Sequence, residues 1–379
     1  MDFRFTEEQE ELRATARSFL AEHSSPEQVR AAMESEAGHD RALWKRIGAE
    51  LGWTAVAIPE ACGGLGLSWV EVVALQEILG ETLFCGPYFA TVCLAASAIE
   101  AAGSEEQKAQ LLGSIAGEGA IAALAHGAGA SWRRDGNDYV LDGTLRHVVD
   151  GHCADLLVVA ARESASAAAT RFSLFAIPSD ASGLARVQLP TVDRTRRLAE
   201  LRLSGVRVPA SARLGPEGGA GPALERALAL GAIALAAEQV GVAQRSLDLA
   251  VAYAKERIQF GRPIGSFQAI KHKCADMLVK LEAARSAVYW AGCVAADPSA
   301  PNLQLAASAA KAAASEAAFF CAGSALQIFG GVGFTAQYDI QLYFKRARAS
   351  AALLGDAAFH REQVAQRIGL DASEARSEP

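Results

Sequence analysis

Arg257-Ile258-Gln259-Phe260-Gly261-Arg262-Pro263-Ile264, continued by Phe267-Gln268 and Ala275-Asp276-Met277, is the stretch on which the reading of this chain turns. A second stretch, Gln327-Ile328-Phe329-Gly330-Gly331-Val332-Gly333-Phe334, follows further along. An arginine fork suits bidentate binding of a pyrophosphate. Phe260 offers a face that can cover a flat ring or a ribose. A Gly-Gly-x-Gly turn lets backbone approach a phosphate or sugar with no Cβ in the way. Gln327 offers donors and acceptors to an adenine or ribose edge. Taken singly, each stretch also reads as a helix cap and a tight turn with Arg257 on the surface. Taken together and in this order, they read as a ligand site.

Both stretches lie among Ala- and Leu-rich segments that read as long helices from residue 215 onward, after the Gly- and Pro-rich boundary at 215–222. Before that boundary, residues 120–212 switch to short runs with strand alternation. Residues 138–143 read as a strand running into a turn, 156–160 and 173–177 as apolar strands, and 201–208 as an alternating strand stopped by Pro209. The Ser- and Ala-rich run 163–170 reads as a surface loop. Earlier still the chain is helical. Thr6-Glu7-Glu8-Gln9 has the form of a capping box, and Leu12, Ala16, Phe19 and Leu20 repeat on one helical face. Gly63-Gly64-Leu65-Gly66 breaks that pattern, and a helix is expected over 69–83. The expected organisation is a helical domain (1–118), a β domain (119–214) and a helical-bundle domain (215–379), with residues 371–379 frayed.

Composition narrows the function. The 379 residues are 51% hydrophobic and 21% charged, enough to bury more than one core, and the net charge of −7 argues against nucleic acid or an anionic membrane as main partner. No uninterrupted run of about 18 apolar residues is found; the nearest, 227–237, reads as a buried helix. The N-terminus lacks the form of a secretory signal. Seven scattered cysteines, without a CxxC pair or a histidine at ligand spacing, fit a reducing cytoplasm and point to no metal.

The two quoted stretches closely resemble the C-terminal signatures of the acyl-CoA dehydrogenase family. Weaker echoes extend the resemblance over nearly the whole chain: Phe5-Thr6-Glu7-Glu8-Gln9, Pro59 to Gly66, Gly143 through Gly151 to Ala154-Asp155, and Val206-Arg207-Val208-Pro209. The resemblance implies an α+β fold of an N-terminal helical domain, a middle β-barrel or sandwich, and a C-terminal four-helix bundle. It implies FAD, and at least a dimer in which these motifs hold the adenosine-diphosphate half of a flavin lying in the neighbouring subunit. The residues so implied are Arg257, Gln259, Phe260, Gln268, Gln327, Gly330, Gly331 and Gly333. It further implies an acyl-CoA substrate and electron-transferring flavoprotein as acceptor.

The departures from the family are as informative. Its members remove the substrate α-proton with a glutamate, since a weakly acidic C–H needs a desolvated base of raised pKa. One family position for that base is Leu354 here, followed by Gly355-Asp356; the other is Gly231. The flavin-side loop of the family, Thr-Glu-Pro-x-Ala-Gly-Ser-Asp, is replaced by Ala123-Leu124-Ala125-His126-Gly127-Ala128-Gly129-Ala130-Ser131. A family Trp-x-Thr that packs on the flavin is replaced by His147 and Val149. Residues that serve a neighbour's cofactor are kept, and those that serve this chain's own flavin are not. This resembles the non-catalytic chain of the α2β2 acyl-CoA dehydrogenases of actinobacterial steroid and lipid catabolism.

Other candidates for a base are weighed against plainer roles. Asp356 suits an N-cap for a helix starting at Ala357. Glu238 suits a buried pair with an arginine, and Glu225 a solvated site. His147 and His152 near the expected flavin face read as hydrogen-bonded structural groups. Arg194, Arg196 and Arg197 could meet a CoA phosphate, or pair with acidic groups at an interface. Three functions compete with the subunit reading: a homomeric dehydrogenase with an unrecognised base, an inactive assembly or CoA-thioester-binding protein, and an oxygen-using flavoprotein such as a nitroalkane oxidase or N-hydroxylase.

Overall fold

The computed structural model describes residues 5–164 and 171–370. The helices are α1 (Glu7–His23), α2 (Pro26–Glu34), α3 (Arg41–Ala49), α4 (Trp69–Glu81), α5 (Ser97–Ala102), α6 (Glu105–Glu118), α7 (Gly221–Glu256), α8 (Gln268–Ala295), α9 (Leu303–Phe329), α10 (Ile340–Ala352) and α11 (Ala357–Arg367). The strands are β1 (Ala122–Ala125), β2 (Ala130–Asp135), β3 (Asp138–Val149), β4 (Leu156–Glu163), β5 (Phe172–Pro178), β6 (Leu184–Leu189), β7 (Leu198–Val208) and β8 (Arg213–Leu214), then the short pair β9 (Ile258–Gln259) and β10 (Arg262–Pro263). The order is helical, β, helical, as expected. Most of the surface loop expected over 163–170, and the frayed tail 371–379, lie outside the described residues.

Two compact units are formed. The first joins residues 1–27, 69–84 and 232–379, so α1 and α4 pack with the C-terminal helices. α1 starts at a complete capping box: the Gln9 N–H donates to the Thr6 hydroxyl, and the Thr6 N–H to the Gln9 side chain. α4 meets α7 backbone to backbone. A Cβ at Gly80 would lie 2.1 Å from the Glu238 carbonyl oxygen, and one at Gly241 would lie 1.9 Å from that of Glu77. Only glycine permits this approach, and it sets two buried glutamates, Glu77 and Glu238, inside the unit.

The second unit comprises residues 28–68 and 85–231. Its sheet runs β6-β7-β3-β2-β4-β5-β8, with β1 parallel to β4. Trp132, Tyr139 and Phe175 form an aromatic cluster, with ring centroids 5.5 Å and 5.1 Å apart around Tyr139. Residues 138–143 do not end in a turn. β3 continues through Gly143 to Val149, and register shifts against β7 absorb the glycine and the Arg146–His147 bulge. The strands expected around 156–160, 173–177 and 201–208 are present as parts of β4, β5 and β7.

One expectation fails on its criterion. α7 and the segment Leu303–Phe334 are both long and apolar enough to cross a membrane. Isolated charges interrupt their apolar runs, so a search for unbroken runs passes over them. Their apolar windows are 89% and 56% buried within the chain, which marks them as core helices.

Candidate functional site

The first quoted stretch folds as a hairpin. β9 pairs with β10 at Gln259 and Arg262, and Phe260 and Gly261, both with positive φ, form the two-residue tip. Left-handed φ is unfavourable for phenylalanine, and its ring is 92% exposed. The Phe267 ring lies behind, 6.2 Å from Phe260 and under the Arg262 guanidinium at 4.2 Å. Arg257 is exposed, and its guanidinium makes no hydrogen bond or ion pair among the described residues. Gln259 donates to the Ile258 carbonyl, and Gln268 shares a hydrogen bond with His272.

The second stretch ends α9. Gln327 is exposed, with no side-chain partner among the described residues. Gly330 has φ +67, and a Cβ on Gly330 or Gly331 would meet nothing within 4 Å, so both backbones face open space. Gly333 is different: a Cβ there would sit 2.8 Å from that of Phe329, so its glycine serves close packing. A cleft of about 640 Å³ runs between α7 and α8, lined by Gln244, Asp248, Val251, Lys255, Cys274 and Leu278. An uncommitted arginine, a bare aromatic and open glycine backbone fit a nucleotide diphosphate and its ribose.

The positions that would serve a flavin ring do not fit one. His147 sits in the β3 bulge with φ +61, exposed, and Val149 is buried opposite Leu198. Neither offers the hydroxyl or the indole plane. In the loop before β2, a Cβ at Gly129 would strike the Thr144 carbonyl at 2.0 Å.

The base positions carry no carboxylate. Gly231 is buried within α7. Leu354 adopts φ +60, an unfavourable state for leucine that persists where surroundings over-determine it. Two side chains hold that turn. His360 donates through Nε2 to the Leu354 carbonyl (3.0 Å), and Lys311 Nζ donates to the carbonyls of Ser350, Ala351 and Gly355 (3.1–3.3 Å) and to the Ser315 hydroxyl (3.0 Å). Lys311 is fully buried. Burial lowers its pKa to about 8, although Asp356 and Glu238 favour the charged form. Nothing in the sequence reading singled out Lys311; a lysine inside an Ala-rich apolar stretch was the available signal.

The other carboxylates are committed. Asp356 caps α11 by accepting from the Phe359 N–H at 2.8 Å. Glu238 pairs with buried Arg346 at 3.3 Å and accepts from the Ser350 hydroxyl at 3.2 Å. Glu77 pairs with Arg13 and Arg285 and accepts from the Tyr289 hydroxyl. Glu225 is exposed at the start of α7. The arginine cluster pairs inside its own unit: Arg194 with Glu34 at 2.8 Å, Arg197 with the carbonyls of Met33 and Ser35, and Arg196 over the Phe89 ring. His152 bonds the Ala37 carbonyl, in keeping with a structural group. Its neighbour Cys153 and Asp150 stand close by, a grouping that the adjacent letters Asp-Gly-His-Cys would have signalled.

Known proteins resemble this chain over most of its length. The family model for the acyl-CoA dehydrogenase N-terminal domain matches residues 6–118, and that for the C-terminal domain matches 218–369. Acyl-CoA dehydrogenase IpdE2 of Mycolicibacterium smegmatis is 37% identical over 92% of this chain and 95% of its own length. Among solved structures, the ChsE4-ChsE5 complex of Mycobacterium tuberculosis is similar at 29% identity and TM-score 0.87, with 100% of both chains covered. A variant of the Tcur3481-Tcur3483 steroid ACAD is similar at 31% identity and TM-score 0.86, covering 97% of this chain and 99% of that one.

Proposed function

The chain belongs to the acyl-CoA dehydrogenase family, and we propose that within it this chain is the subunit that completes the FAD site of a catalytic partner chain. Members of the family are FAD-dependent oxidoreductases acting on the CH–CH bond of acyl-CoA, and a flavin is the implied cofactor. The assembly is α2β2. It converts an acyl-CoA thioester, of steroid origin by analogy with the steroid ACAD complex, to the 2-enoyl thioester in the cytoplasm. Electron-transferring flavoprotein is the proposed acceptor. When bound, FAD supplies the acceptor for the substrate's β-hydride.

This chain's own part is binding. The Arg257 and Gln327 side chains are exposed and without partners among the described residues, so both can reach the diphosphate and the nucleoside. Phe260 covers the ribose or adenine from the hairpin tip. Gln259 and Gln268 exchange their local hydrogen bonds for the nucleotide. Gly330 and Gly331 let the backbone close on it, and Gly333 holds the turn against Phe329.

The observation that carries the reading is a contrast. The residues that face outward, Arg257, Phe260 and Gln327, are free for a ligand, while the buried glutamates Glu77 and Glu238 are committed to arginines and the family's base position is Leu354. An acyl-CoA-dependent dye-reduction assay on this chain, on a family member encoded beside it, and on the co-purified pair tests it. Turnover is expected in the pair and not in this chain. Robust turnover by this chain alone points instead to a self-sufficient enzyme.

A further inference from the structure

We propose that the β3–β4 turn holds a divalent metal of the zinc class, through Asp150, His152 and Cys153. One donor atom from each residue lies within 4.8 Å of the others, at the end of β3. Donors around a tetrahedral zinc stand about 3.5 Å apart for bonds of ~2.0–2.3 Å, so a small side-chain adjustment closes the site. The turn is local and stiff. Asp150 has φ +52, and a Cβ at Gly151 would lie 2.8 Å from Val148, so the four residues hold one tight path.

The second observation is the state of the imidazole. His152 Nε2 bonds the Ala37 carbonyl at 3.0 Å. A carbonyl only accepts, so Nε2 carries the proton and Nδ1 carries the lone pair. That Nδ1 is buried and has no hydrogen-bond partner among the described residues. Anchoring one ring nitrogen on a carbonyl while the other stands bare is the outer-shell arrangement of metal-binding histidines.

The donor set selects the ion. Sulfur, nitrogen and one carboxylate oxygen suit zinc or cobalt(II), not magnesium or calcium. Cys153 now donates its thiol to the Asp150 carbonyl at 3.3 Å, and burial pushes its pKa up. Binding therefore replaces S–H by S–metal and releases one proton to solvent. Arg41, Arg186 and Arg197 act on this turn, as do Asp155 and His39. A divalent ion with one thiolate and one carboxylate is neutral, so it adds no repulsion against those arginines. Three protein donors leave a coordination position open to water.

Chelator-treated full-length protein titrated with Co²⁺ is expected to develop an equimolar, saturable thiolate-to-cobalt charge-transfer band in its difference spectrum. Zn²⁺ should displace it. Cys153→Ser and His152→Ala should abolish the band, and Cys274→Ser should keep it. Should either of the first two variants misfold, iodoacetamide labelling of the wild type provides the readout: Zn²⁺ is expected to protect Cys153. No charge-transfer band, a band that survives Cys153→Ser in folded protein, or labelling of Cys153 indifferent to Zn²⁺ overturns the proposal.

Discussion

Lys311→Met separates the cost of a buried ammonium from the help it gives the Leu354 turn. Lys311 is fully buried, and its pKa falls from the ordinary 10.5 to about 8. Below pH 8 both the folded and unfolded chains hold this proton, and the full cost of burying the charge is present. Between pH 8 and 10.5 the unfolded chain binds more protons, so stability rises with pH. Above 10.5 the cost is gone. A gap of about 2.5 pH units is worth roughly 3 kcal/mol. Methionine of similar length removes this pH dependence. It also leaves the carbonyls of Ser350, Ala351 and Gly355 without their donor, an offset that does not change with pH. The assay is urea unfolding of both proteins from neutral pH to about pH 10.5, taking their difference at each pH, because that difference cancels the buried tyrosines and cysteines titrating in the same range. The expected result is a difference that shifts by roughly 3 kcal/mol in favour of wild type across the window. A flat difference would refute the claim that the ammonium is held at a cost inside the bundle.

Other substitutions test neighbouring parts of the account. Glu238→Gln removes the carboxylate charge paired with the buried Arg346 guanidinium and should cost about 3–5 kcal/mol in unfolding free energy; wild-type stability with lost turnover in the pair would instead make Glu238 a base. Gly241→Ala forces a methyl onto the Glu77 carbonyl and should lower stability by about 1–3 kcal/mol or more, read by thermal unfolding. Leu354→Glu restores the family's carboxylate but not the flavin loop, so dye reduction by the isolated chain should stay at background.

Much of the fold was legible because its signals are local. The Thr6–Gln9 capping box, the Asp356 cap and the alternation of 201–208 each act within a few residues, and each is found where the letters place it. The resemblance of the Arg257 and Gly330 stretches did the rest. What the sequence hid is set by tertiary packing. The contact of Gly80 with Glu238 and of Gly241 with Glu77 joins helices far apart in the chain. Arg194 and Arg197 pair with the last turn of α2, at Met33 and Glu34, and with Ser35 just after it, a contact that no spacing predicts. β3 runs past Gly143 because β7 supplies the pairing, overriding the local turn signal. Within the candidate site, the motif residues could be named from sequence. The clamp on the Leu354 turn could not, because Lys311 reaches it from α9 and meets His360, from the helix that follows the turn, only in the folded bundle.

The central claim is that this chain lends its nucleotide-binding face to a partner and does not run the chemistry alone. Its most direct test is the visible absorption spectrum and FAD content of the chain purified alone and then co-expressed with its candidate partner. The account predicts a colourless lone chain and a yellow complex with about one FAD per pair, whose flavin is lost in Arg257→Ala while the chain stays folded. A yellow lone chain with one FAD per subunit, bleached by an acyl-CoA, would contradict it.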